Sequence, residues 1–148
     1  MTQLTQNSDQ IKNNYCVIDL ETTGLDYRND AIIEIAVIKF DLEGISDTYQ
    51  SFVNPGRKIP TFISDLTGIF DKDVLTAPEF SMLIPKLKTF IGDSVLIGHN
   101  VGFDVGFLRE FGFNFEGTIC DTLDLSYVIH PSQLDYSLTG LSLFLDLD

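Results

Sequence analysis

The sequence predicts an α/β domain built on a mixed sheet, and three observations carry that prediction. Three β-prone segments, beginning at Tyr15, Ala31 and Ile45, follow one another through short links, which is the pattern of an antiparallel meander. A segment of helical period after Pro78 leads into the apolar run Val95-Leu96-Ile97, a short strand that lies parallel to the first if the helix is a crossover. The chain has 148 residues, 44% of them hydrophobic with 12 Phe, enough for one packed core and too apolar for a disordered chain.

Residues 1–14 are polar and lack the apolar stretch of a signal peptide, so they read as a loose tail ahead of a domain spanning 15–148. Tyr15 to Ile18 form an apolar, β-prone run, expected to be a strand covered on both faces. Asp19 and Glu21 end it. Side chains two apart on a strand point the same way, so these carboxylates project together, and a divalent cation with a taste for hard oxygen, Mg2+ or Mn2+, is the simplest offset to their repulsion. A D-x-E pair at a strand end is also common as a plain solvated loop entry. Thr22, Thr23 and Gly24 follow, offering hydroxyls, backbone N–H groups and a permissive backbone to an approaching phosphate or sugar.

Ala31 to Phe40 is too β-branched for a preferred helix and reads as the second strand, with Glu34 expected to make a structural hydrogen bond to nearby loop backbone. Asp41 to Gly44 has hairpin character, and Ile45 to Asn54 returns as the third strand. Pro55, Gly56 and Pro60 break the pattern before a short helix over Phe62 to Leu66. For the loop Thr67-Gly68-Ile69 two readings stand, an apolar tip against a nucleic-acid base and a satellite contact with the core. Phe80, Leu83, Ile84, Leu87, Phe90 and Ile91 recur at helical spacing from Pro78 onward, with a kink expected at Pro85.

Gly98 to Leu108, G-H-N-V-G-F-D-V-G-F-L, marks a second junction of strand and helix, with Asn100 as a good cap residue and Val101, Val105, Leu108 and Phe111 as the apolar face. Asp104 then falls in the first helical turn, where the dipole favours an acid in any case. The same junction opens at the carboxyl end of a parallel pair, near Asp19 and Glu21, so the three carboxylates are expected to converge.

The formal net charge is −13, with 22 acids against nine bases, which is unfavourable for binding nucleic acid through a basic patch and compatible with a site where metal ions hold the phosphate. Cys16 and Cys120 read as reduced core thiols, consistent with a reducing cytoplasm, and no apolar run approaches membrane-spanning length. The sequence contains no G-x-G-x-x-G, P-loop, C-x-x-C or serine elbow, which sets other enzyme classes aside.

D-L-E-T-T-G, L-T-G-I, G-H-N-V-G-F-D-V-G-F-L and C-D-T-L, in that order, resemble the motifs of the DEDD superfamily of 3′-to-5′ exonucleases. The likeness is to the branch that includes the proofreading subunit of bacterial DNA polymerase III and exonuclease domains fused to helicases. It implies a ribonuclease H-like fold, a mixed five-stranded sheet flanked by helices. It also implies that Asp19, Glu21 and Asp104 are catalytic ligands of two Mg2+ or Mn2+ ions, and that Thr22, Thr23, Gly24, His99, Asn100 and Phe103 face the substrate. The implied partner is a single-stranded or frayed 3′ end of DNA, in replication or repair, with a polymerase or helicase as companion or fused domain.

One motif of that superfamily, H-x-A-x-x-D, supplies a general base and a fourth acid from a later helix. His130 and Asp135 meet its spacing in H-P-S-Q-L-D, but Pro131 breaks the helix expected over Asp121 to Ile129, and Tyr136 to Leu145 resembles the helix that precedes the motif. The 148 residues therefore read as an exonuclease-like domain truncated before its last catalytic helix, with weak metal binding and little activity. The alternative is a catalytically degenerate nuclease fold used for protein interaction.

Overall fold

The computed structural model describes residues 14–147; the tail expected over residues 1–14 lies outside the described residues except for Asn14, as does Asp148. A five-stranded sheet of order β3-β2-β1-β4-β5 runs through the domain. Its strands are β1 (Tyr15–Thr22), β2 (Ile32–Asp41), β3 (Gly44–Phe52), β4 (Val95–Gly98) and β5 (Ile119–Asp121). The first three form the expected antiparallel meander, and β4 and β5 add in parallel to β1 and β4 respectively. The fifth strand, only Ile119-Cys120-Asp121, is too short to declare itself by periodicity.

The helices are α1 (Thr61–Thr67), α2 (Asp71–Val74), α3 (Phe80–Ile91), α4 (Gly102–Glu110), α5 (Thr122–Ile129) and α6 (Leu138–Leu145). One sheet face is the core. Cys16, Ile18 and Leu20 of β1 are buried there with Ile35 and Val37 of β2, Phe80 and Leu87 of α3, and Phe107 and Leu108 of α4. Each large apolar side chain so buried stabilises the fold by about 1.5–3 kcal/mol. The other face of β1 is half open, with Val17 half-buried and Asp19 exposed, so the strand is not covered on both faces as its apolar run implies. Placing charge on that face is what keeps it from being sealed.

A β-bulge lies at the exit of β1: Glu21 pairs with Glu34 and Thr22 with Ile32, which leaves Ile33 as the extra residue. Ile33 is drawn into a second buried cluster with Ile59, Ile63, Ile69 and Val74, under α1 and α2. Ile69 thus makes the satellite contact, one of the two readings of its loop. Gly68 ends α1 in the left-handed conformation at φ 75°, where a side chain would be strained.

Pro85 is accommodated within a single helix, α3, which begins at Phe80 rather than at Pro78. α5 begins one residue after Asp121, whose side chain accepts from the Leu123 N–H as its cap, and it ends before Pro131. α6 begins at Leu138 rather than Tyr136, because Ser137 caps it through the Gly140 N–H. Cys16 and Cys120 are free thiols. Among the described residues no helix is long and apolar enough to cross a membrane.

Candidate active site

The site begins where two parallel strands part. β4 pairs with β1 only as far as Val17 opposite Ile97, so beyond that point the edge of β1 has no strand partner on this side. Its Leu20 N–H is satisfied instead by Asp104, whose Oδ1 accepts at 3.1 Å. Asp104 reaches this place because α4 is anchored by the buried Phe107 and Leu108 one turn further on. The carboxyl group itself is buried, with 7% of the residue exposed.

Asp104 is therefore seated on the backbone between Asp19 and Glu21. Asp19, His99, Asp104, Thr122 and Leu138 line a common cavity of about 420 Å3. Glu21 is not among its lining residues, and among the described residues no three acids, histidines or cysteines stand together as a ready-made metal group. A larger cavity, about 770 Å3, lies where β4 and β5 begin, at the opposite end of the sheet, beside Lys88, Asp93 and Phe115. It contains none of the motif residues.

Charge couples the acids. Burial, with the neighbouring charge of Asp19 next, pushes the Asp104 carboxyl up to about 7, against the opposing hydrogen bond from Leu20. Glu21 is also raised, by burial first and then by Asp19 and Glu34. Two separate acids thus respond to Asp19, as expected of carboxylates that share a small region of low polarity.

The remaining candidates divide between the cavity and the scaffold. The Thr122 hydroxyl donates to the Gly98 carbonyl at 3.2 Å, and His99 Nδ1 stands 3.0 Å from the same oxygen. That hydroxyl has one proton: given to the Gly98 carbonyl, it leaves Thr122 as the acceptor of a His99 Nδ1–H; given to His99, it leaves Nδ1 as the acceptor. Asn100 adopts φ 58° and does not cap α4 as its side chain predicts; Asp121 instead accepts from the backbone N–H groups of Asn100 and Val101, both at 2.9 Å. Phe103 is half-buried against Phe107, with ring centroids 5.0 Å apart.

Thr22 and Thr23 are both buried. Thr22 donates to the Gly24 carbonyl at 2.6 Å, while the Thr23 hydroxyl receives the Ala31 N–H and reaches Asp30, closing the loop between β1 and β2. Their hydroxyls are engaged within the loop, as are the Thr23 N–H, which donates to the Ala31 carbonyl at 2.8 Å, and the Gly24 carbonyl. Glu34 bonds to the Gln50 side chain at 2.7 Å rather than to loop backbone, because β3 brings Gln50 alongside it. Nothing in the sequence marks Asp121 as a support of the site beyond its place in C-D-T-L.

His130 and Asp135 stand apart from the acids. His130 ends α5 and meets the Phe144 ring edge-on at 5.1 Å, while Asp135 accepts from the Ser137 N–H at the start of α6. That hydrogen bond, together with the Ser137 side chain, holds the Asp135 carboxyl below its ordinary range.

The RNase T family model, described as exonuclease, matches residues 16–146. A PolC-type DNA polymerase III of Caldanaerobacter subterraneus subsp. tengcongensis is 37% identical over 146 residues, which cover 96% of this chain and 10% of the polymerase. The corresponding enzyme of Clostridium perfringens is 36% identical over 129 residues, covering 84% of this chain and 9% of the polymerase. The chain thus spans about a tenth of the length of the curated relatives it matches. Among solved structures, exonuclease X in complex with 5′ overhanging duplex DNA is similar at TM-score 0.77 and 25% identity, over 90% of this chain and 74% of that one. Exonuclease I, at TM-score 0.75 and 16% identity over 92% of this chain and 36% of that one, shares the fold. The mixed sheet with its flanking helices is the ribonuclease H-like arrangement of these exonucleases.

Proposed function

The chain belongs to the exonuclease family, and from that membership we propose that it removes nucleotides from the 3′ end of DNA, with Asp19, Glu21 and Asp104 holding two Mg2+ or Mn2+ ions. The observation that carries this reading is the seat of Asp104 on the Leu20 N–H, which sets the third acid between the other two in the strand. DNA is favoured as substrate by the polymerase relatives and by the DNA-bound neighbour.

The residues fit such ions by their chemistry. The donors are hard carboxylate oxygens, and burial, followed by the charge of Asp19, raises both Glu21 and Asp104, a cost that a bound divalent cation relieves. When bound, the ions would activate water and stabilise the leaving 3′ oxygen. The chain's own groups do the rest. Leu20 fixes the direction of Asp104, and the closed loop of Thr22, Thr23 and Gly24 braces the chain directly after Glu21, where the terminal nucleotide would lie. Thr122 holds the His99 ring through Nδ1 in the cavity that Asp19 and Asp104 also line, which leaves Nε2 free to meet the substrate or water. The same relatives support a polymerase as companion or fused domain, with proofreading as the proposed task.

A second reading, a nuclease fold kept for protein contacts, draws on the lack of a ready three-acid group among the described residues. Calorimetric titration of the 148-residue chain with Mn2+ separates the two. The nuclease reading expects heat that disappears in Asp19→Ala and Asp104→Ala, together with slow divalent-dependent shortening of single-stranded DNA labelled at its 5′ end, slow because His130 and Asp135 do not line the cavity of the acids. Heat that is absent, or indifferent to both substitutions, would falsify it.

A further inference from the structure

Glu34 is an acid that the site so far leaves without a role. The register places it directly across from Glu21 on the neighbouring strand. Directly opposed residues of an antiparallel pair stand roughly 5 Å apart at Cβ, and like charges so placed are destabilising. The pairing is also fixed on both sides. The bulge follows at once, with Ile33 buried under α1 and α2, and Gln50 of β3 donates from Nε2 to Glu34 Oε1 at 2.7 Å. Glu34 is thereby tied toward β3, while Glu21 stands on its other side, on β1, two residues after Asp19. The raised proton affinity of Glu21, to which Glu34 contributes after burial and Asp19, agrees with this closeness.

We propose that Glu34 is a positioning residue for Glu21: held by Gln50 on its far side, it turns the Glu21 carboxylate away from β2 and toward the opposite edge of β1, where Asp104 is seated. This rests on the reading of those three acids as cation ligands and adds a residue which that reading does not contain. Without a cation the opposed pair strains the sheet. With one bound, the orientation it imposes is the useful one. A residue that merely braced β2 against β3 would have a different signature, since its loss would lower stability and leave cation affinity to follow passively.

The test uses the full 148-residue chain and two readouts, Mn2+ affinity by calorimetry and thermal midpoint in the presence of a chelator. Glu34→Gln keeps the acceptor for Gln50 and removes the charge. It is expected to weaken Mn2+ binding roughly fivefold, the upper scale of a directly opposed like-charge pair, and to leave the residual binding of a chain that already carries Glu21→Ala unchanged, while the midpoint stays level or rises. Glu34→Asp, which keeps the charge, is expected to restore the affinity. Unchanged affinity in Glu34→Gln overturns the assignment, and so does a fall in affinity accompanied by a lower midpoint. If the parent chain itself shows no Mn2+ heat that depends on Asp19, the cation reading fails and this inference with it. Parent binding that Glu34→Gln leaves intact removes this inference alone.

Discussion

The Asp104 side chain accepts the Leu20 N–H across 84 positions of sequence, at the point where β1 has outrun its parallel neighbour. An unpaired backbone donor at a sheet edge would cost about 1–3 kcal/mol if buried. The carboxylate that satisfies it is also the one placed beside Asp19. Completion of the strand edge and the placing of Asp104 in a cavity with Asp19 are therefore one event.

Stability without a cation should depend on pH through Asp104. Its folded value of about 7 exceeds the ordinary 3.8, so between those values the folded chain holds a proton that the unfolded chain has lost. Stability is then expected to fall as pH rises from about 4 to 7 and to level off above, by on the order of a few kcal/mol at most. Asp104→Asn keeps an acceptor for Leu20 and should flatten that slope in urea titrations at several pH values.

Gly24→Ala should destabilise the loop that follows the acids. A Cβ there would stand 2.6 Å from Asp30 Cγ, and Asp30 cannot swing aside because it accepts from Thr23 Oγ1 and the Asp26 N–H. The expected loss is about 1–3 kcal/mol in chemical denaturation. Combining it with Asp30→Ala should cost less than the sum of the two single losses.

Asp121→Ala removes the acceptor of three backbone N–H groups, those of Asn100, Val101 and Leu123. A loss of about 2–4 kcal/mol is expected, larger than for a single helix cap because two chain segments are released together. Asp121→Asn should lose less. Mn2+ affinity should drop in Asp121→Ala as well, since the Asn100–Val101 turn sets where α4 begins.

His130→Ala should leave any divalent-dependent hydrolysis of single-stranded DNA unchanged, because His130 lies at the end of α5 against Phe144 and not in the cavity of the acids. Thr122→Val, by contrast, removes the hydroxyl that orients His99 and should lower activity. A rate assay on both variants, with circular dichroism to confirm folding, checks the pair. Activity lost in His130→Ala would restore H-P-S-Q-L-D as a working motif.

Local pattern made much of this molecule legible. Alternation alone set Asp19 and Glu21 on one side of β1, apart from the buried Cys16, Ile18 and Leu20, and helical period alone marked α3 and its buried Leu83 and Leu87. Pro131 foretold the end of α5. These features depend on residues a few positions apart, where backbone geometry dictates which side chains share a face.

What the tertiary structure alone decided lies between distant segments. Asn100 is a good cap by type, yet Asp121 from β5 does the capping. Glu34 looks like a lone polar residue in a strand, yet the bulge at Ile33 and the β1–β2 register set it opposite Glu21. Asp104 is a favourable first-turn acid in any helix, and only the place where β4 stops explains why it turns to Leu20. Register, strand length and bulges are settled by packing over the whole sheet, so no short window of sequence contains them.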